Sequence, residues 1–177
     1  MMQRRLSIRP NDSKTMARTF VIANAPSQDE AMTNFVYFNP RDARSLYVTL
    51  GENGYVYRCF PHAGVDPGFI ALNAAQRRHI VKFAGDPVDV EEFQIPMRDF
   101  VIKACTLQAE WFKPGPALPG DLTAIANNFR TQFSLHVFAK GQTVLLKYYD
   151  HIIMFTVRSD VKGLITMQTE LGVEFVV

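Results

Sequence analysis

Four histidines, two cysteines, one glycine-spaced loop and a short run of cations are the places where this sequence could carry chemistry. His62, His79, His136 and His151 each stand alone. None pairs with another histidine or a cysteine at metal-ligand spacing, so structural or surface roles are expected for all of them. Cys59 and Cys105 both sit inside apolar runs. Apolar surroundings raise a thiol's pKa, so packed thiols are expected rather than nucleophiles. Gly115-Pro116-Ala117-Leu118-Pro119-Gly120-Asp121 has the glycine spacing of a phosphate-binding loop without its chemistry. Asp121 stands where that loop needs a lysine, and two interior prolines remove main-chain donors. A rigid linker ending in a helix N-cap is the better reading. There is no Gly-x-Ser-x-Gly elbow. Glu91 and Glu92 are adjacent on a strand and so face opposite sides, as a solvated edge does. No catalytic residue, metal site or cofactor site is expected in this chain.

The cations are more suggestive. Arg77, Arg78 and Lys82 fall within six residues, and on a continuous helix Arg78 and Lys82 would be i,i+4 neighbours. Arg98, Lys103 and Lys113 follow further along. Folding could bring these groups into one positive patch. The competing reading is a solvated face with no partner. A functional patch would recognise an acidic protein surface, speeding encounter and setting orientation.

The elements that must position these cations are mostly short strands. Residues 1–17 read as a disordered basic tail with Arg4, Arg5, Arg9 and Lys14. Strand signals follow at Arg18 to Ala23, Phe35 to Phe38, and Ser45 to Leu50 with Tyr55 to Phe60. The last two flank Asn53-Gly54, a strong hairpin cue. Pro26 to Glu30 reads as a turn or loop. Phe69 to Leu72 is a strand, and Asn73 with Gln76 three residues later predicts a capped helix of about two turns. Val88 to Phe93 closes this half. Gln94-Ile95-Pro96-Met97 is the expected boundary, giving a small β-barrel over 18–95 and a β-rich α+β module over 96–177. In the second module Phe100 to Phe112 is a long strand region, and Asp121 caps the best helix. Leu122, Ile125, Ala126, Phe129 and Phe133 make one apolar stripe on it. Strands are expected at Leu135 to Phe138, Thr143 to Tyr149, Ile152 to Val157, Leu164 to Thr169 and Val173 to Val177.

Composition limits the functional classes. With 177 residues, 47% hydrophobic and 20% charged, the chain is long enough to bury a core without staples. A net charge of +2, from 19 Lys+Arg and 17 Asp+Glu, argues against a nucleic-acid-coating protein. No apolar run approaches the roughly 18 residues of a membrane span, and the N-terminus lacks a signal peptide's apolar stretch. Two cysteines make no disulfide framework. A cytoplasmic location is the expectation.

Several segments, in order, resemble the N-terminal domain of the N-ethylmaleimide-sensitive-factor family, the AAA ATPases that disassemble SNARE complexes. Ala25-Pro26 through Thr33-Asn34-Phe35-Val36 is similar to the family's Cys-Pro…Ser-Asn-Cys-Ala-Val-Val segment. Asp66-Pro67-Gly68-Phe69-Ile70-Ala71 is similar to Val-Pro-Gly-Ser-Ile-Ala, and Gln76-Arg77-Arg78-His79 to Gln-Arg-Lys-Trp. Gly85-Asp86-Pro87-Val88-Asp89-Val90 is similar to Gly-Gln-Glu-Ile-Glu-Val. Phe129 to Phe133 and Lys140 to Val144 resemble Phe-x-x-Gln-Phe and Val-Gly-Gln-Gln-Leu. The order holds from about Phe20 to the end.

The resemblance implies a double-psi β-barrel followed by an α/β roll. It implies a module that binds the adaptor SNAP on its SNARE complex through basic positions around the groove between the two parts. Arg77 and Arg78 match one such basic pair. A second pair aligns with Pro114-Gly115, where Lys113 one residue earlier would have to substitute, and a third position aligns with Asn24. Lys82 completes the expected partner-binding set. The resemblance also implies that ATP and Mg belong to ATPase modules outside this chain, in a parent that is a homohexamer. The isolated domain is expected to be a monomer that meets membranes only through its partners. Two alternatives share the architecture: an N-domain like that of valosin-containing protein, which binds ubiquitin-linked cofactors, and a small enzyme on the same barrel.

Overall fold

A computed structural model describes residues 16–116 and 120–176. The basic tail expected over 1–17 therefore lies outside the described residues up to residue 15.

The first half runs β1 (Arg18–Asn24), α1 (Gln28–Ala31), β2 (Val36–Phe38), β3 (Tyr47–Leu50), β4 (Val56–Pro61), β5 (Phe69–Leu72), α2 (Ala74–Ile80) and β6 (Pro87–Glu92). Its six strands close a barrel in the order β1-β5-β2-β4-β3-β6, with β6 pairing back onto β1. β1 lies parallel to β5 and β2 parallel to β4; the other pairs are antiparallel. This is a double-psi β-barrel. Strand alternation fills it: Phe20 and Ile22, Val48 and Leu50, Val88 and Val90 all point inward and are buried. Gly51 and Gly54 supply the positive φ values that close the β3–β4 hairpin.

The second half runs β7 (Ala104–Trp111), α3 (Leu122–Phe133), β8 (Val137–Ala139), β9 (Thr143–Tyr148), β10 (His151–Val157), β11 (Lys162–Leu164) and β12 (Glu170–Phe175). Four strands form a sheet in the order β12-β7-β10-β9, and β8 pairs with β11. Helix α3 begins at Asp121, whose carboxylate accepts the Ala124 N–H. Its buried face, Ile125, Ala126, Phe129 and Phe133, packs on Leu107, Ala109, Val144, Leu146 and Phe155 of the sheet. This is the α/β roll.

Four local expectations change. Pro26 to Glu30 is not only a loop: Ser27 caps the one-turn helix α1 by accepting from Asp29 and Glu30 N–H groups. Pairing in β7 starts at Ala104 rather than Phe100. The strand expected over Leu164 to Thr169 holds only at Leu164, the end of β11; beyond it the Thr169 hydroxyl accepts the Thr166 N–H and donates to the Ile102 carbonyl, folding the segment into a turn. Leu122 starts the α3 stripe yet is exposed.

Barrel and roll meet along a seam built from side chains of one half and main chain of the other. Tyr47 and Tyr55 donate their hydroxyls to the Leu135 and Lys140 carbonyls, and Arg58 donates to Ser134. From the roll, Gln132 donates to the Met32 carbonyl and Lys162 to Gly54. His136, fully buried, packs its ring at a tilt against Phe35 of the barrel at 4.8 Å and edge-on to Phe133 of the roll at 5.8 Å.

Candidate functional site

Helix α2 carries the cations, and its sequence explains why it sits where it does. Asn73 accepts the Gln76 N–H while the Gln76 side chain accepts the Asn73 N–H, a complete capping box. The Asn73 amide also donates to Ala31, and the buried Gln76 amide donates to Asn34 and Phe35 carbonyls. These bonds fasten the start of α2 to the segment after α1. At its other end, His79 faces the roll. Its Nε2 accepts the Thr143 N–H at 3.0 Å and lies 2.8 Å from the Thr143 hydroxyl, while Nδ1 lies 3.4 Å from the Tyr57 hydroxyl. Burial, with Arg78 alongside, pushes the His79 pKa down to about 4, so the ring is a neutral acceptor at pH 7. The helix bearing the cations is thus the one on which edge strand β9 docks.

Arg77, Arg78 and Lys82 line one shallow depression of about 310 Å³ together with Ala74, Val81 and Phe83. The spacing argument for Lys82 needs correction. Helix α2 ends at Ile80, Val81 adopts a left-handed conformation, and Lys82 lies beyond the helix. Lys82 and Val81 donate their N–H groups to the Arg77 and Arg78 carbonyls, and this closure folds Lys82 back beside the arginines. Arg78 is exposed; Arg77 is half-buried and donates to the Leu72 carbonyl at 2.6 Å, which holds its stem in place. Cations in the last turn also complement the helix dipole, worth roughly 0.3–1 kcal/mol each. No carboxylate among the described residues pairs with any of these three cations or with Lys113.

Lys113 is not in this depression. It is exposed and follows Phe112, whose N–H donates to Ile152 at the start of β10. A crevice walled by both halves lies near there, between α1 and the β9–β10 turn. Its charges are mixed, Asp29 and Asp150 with Lys147, and His151 is also on its wall. The wall of the basic depression comes from α2 and its following turn alone.

The remaining chemistry is accounted for structurally. Both cysteines are buried and free, and burial pushes the Cys59 thiol up to about 12. Among the described residues no cluster of His, Cys, Asp and Glu could hold a metal. Of the glycine-spaced segment 115–121, residues 117–119 lie outside the described residues, and the described ends are engaged elsewhere. The Trp111 ring sits over Gly115 and its Nε1–H donates to the Pro116 carbonyl, while the Asp121 carboxylate is spent on the α3 cap. No helix among the described residues is long and apolar enough to cross a membrane.

A closed six-strand barrel followed by a helix-and-sheet roll is now accompanied by sequence similarity. The chain is 30% identical over 154 residues to a vesicle-fusing ATPase of Arabidopsis thaliana, a match that spans 82% of this chain. The chain resembles the N-terminal domain of the vesicle-fusing ATPases. It spans about a fifth, 21%, of the length of that vesicle-fusing ATPase. No protein-family model matches the chain. The capping box and the Thr143 contact of His79 both serve to present α2 and its cations Arg77 and Arg78 on the surface of this vesicle-fusing-ATPase-like domain.

Proposed function

We propose that this chain is the non-catalytic, adaptor-binding N-domain of a SNARE-disassembling AAA ATPase acting in vesicle-mediated transport in the cytoplasm. It engages SNAP on its SNARE complex through Arg77, Arg78 and Lys82, with Lys113 as an outlying contact. ATP and Mg are handled by ATPase modules elsewhere in a hexameric parent. The observation that carries this reading is the set of uncompensated cations gathered in one open depression beside the seam. Exposed ion pairs contribute only about 0–1 kcal/mol each. Affinity therefore comes from several contacts and from several domains acting at once on one multivalent complex.

Pull-down of a SNAP–SNARE complex tests it. Arg77→Glu/Arg78→Glu should cut the adaptor retained by about tenfold or more at 0.1 M salt, with the wild-type interaction weakening as salt rises. Because both arginines also complement the dipole of α2, circular dichroism melts of the variant belong beside the assay. A folded variant that captures as much adaptor as wild type would remove this patch from the binding surface.

A further inference from the structure

The depression holds more than charge. Val81 has φ 54° and ψ 49°, the left-handed region. Glycine occupies such a helix-ending position without strain, and for a β-branched residue it is an outlier. Val81 is also 82% exposed, and Phe83, two residues on, is 76% exposed. Two apolar side chains thus face solvent on a strained turn that gains nothing from them in packing. The turn itself is held firmly: the Phe83 N–H donates to the Asp86 carboxylate, and the Asp86 N–H donates to the Phe83 carbonyl. Both side chains share the wall of the depression with Arg77, Arg78 and Lys82.

We infer that Val81 and Phe83 form an apolar step that reads a large aliphatic or aromatic side chain on the acidic partner segment, so that the site recognises a mixed acidic–apolar motif rather than negative charge alone. The inference rests on the adaptor-binding reading and adds to it what chooses among acidic partners. Charge complementarity names the occupant. Three unpaired cations border the apolar step, so the segment that covers it must bring carboxylates around an apolar centre. A protein segment fits better than a membrane surface. The site is concave, and three cations supply little of the attraction that a peripheral membrane anchor needs. Backbone strain kept at an exposed position is the signature of a site where the side chain, and not the fold, is being used.

The test separates stability from recognition. Val81→Gly relieves the strain and should raise Tm by about 2–5 °C, while weakening SNAP binding by about tenfold in a titration. Phe83→Ser should weaken binding similarly, with Tm unchanged and the salt dependence of binding retained. Two synthetic acidic peptides, identical except for one central leucine replaced by serine, are titrated in parallel. The leucine peptide should bind wild type about tenfold tighter than its serine twin, and the two should bind Val81→Gly alike. Equal SNAP affinity in wild type, Val81→Gly and Phe83→Ser would overturn the apolar step while leaving the adaptor reading standing. Loss of SNAP binding altogether in wild type, with the leucine peptide still preferred, would overturn the adaptor reading and sustain the step. Failure of both ligands to bind, or binding only to phosphatidylserine vesicles, would overturn the inference.

Discussion

Phe129→Ala should cost about 3–5 kcal/mol of stability. Phe129 is wholly buried, with its ring centroid 4.8 Å from Phe133, 5.0 Å from Phe155 and 5.5 Å from Phe138. Truncation deletes one member of this aromatic cluster and leaves a cavity that β-strands on one side and α3 on the other cannot easily close. Against a typical total of about 5–15 kcal/mol, that is a large share, equivalent to a fall in Tm of roughly 10 °C. The effect extends beyond the roll. Helix α3 ends at Phe133, and the next two residues deliver the Ser134 and Leu135 carbonyls that accept from Arg58 and Tyr47 of the barrel. Urea unfolding followed by far-UV circular dichroism measures the loss. A cost below about 1.5 kcal/mol would show that the cluster repacks and that α3 is not held as described.

Acid should remove a second large increment. His136 is buried among Phe35, Phe133 and Phe138, and neither ring nitrogen has a hydrogen-bond partner among the described residues. Burial, reinforced by the nearby Arg58 guanidinium, pushes its pKa down to about 3. His79 is lowered to about 4, chiefly by burial. An unfolded histidine takes up its proton near pH 6.5. Between that pH and the folded values the unfolded chain therefore binds more protons, and stability falls as pH falls. The stabilisation is complete above about pH 6.5 and is lost progressively down to pH 3–4, amounting to about 3 kcal/mol at pH 4 for His136. His79 adds less, since its ring is partly open to solvent. His136→Leu removes the titrating ring and the orphaned polar atoms together. It should raise stability at pH 7 by about 1 kcal/mol and flatten the acid limb. Denaturant midpoints at pH 7, 5.5 and 4 decide the matter: parallel losses in wild type and His136→Leu would exclude His136 as the source.

The features that were legible in the sequence are those written in neighbouring residues. Asn53-Gly54 between alternating strands announced the β3–β4 hairpin, Asn73 with Gln76 announced the capping box, and the Ile125 to Phe133 stripe announced α3. Helix α1 escaped because a single turn capped by Ser27 after a proline looks like any loop. The Thr166–Thr169 turn escaped because strand-forming residues there are outbid by one threonine hydroxyl reaching Ile102, 67 positions away. At the candidate site, the cluster of Arg77, Arg78 and Lys82 was visible. The left-handed Val81 that brings Lys82 back to the arginines was not, since valine is a residue that ordinarily avoids that conformation. The attachment of α2 to β9 joins His79 to Thr143 across 64 positions, and no local pattern encodes such a bond.

The seam has a consequence for divergence. In the seam hydrogen bonds donated by Tyr47, Tyr55, Arg58, Gln132 and Lys162, the acceptor is a peptide carbonyl. Peptide groups survive substitution, so the residues at 32, 134, 135 and 140 can drift without erasing the docking pattern, whereas Gly54 keeps the positive φ of its turn and Thr143 its hydroxyl beside His79. Mutational tolerance along this boundary is therefore lopsided: five donor side chains bear the constraint, and most of the residues they grip are free to change identity provided the backbone keeps its path.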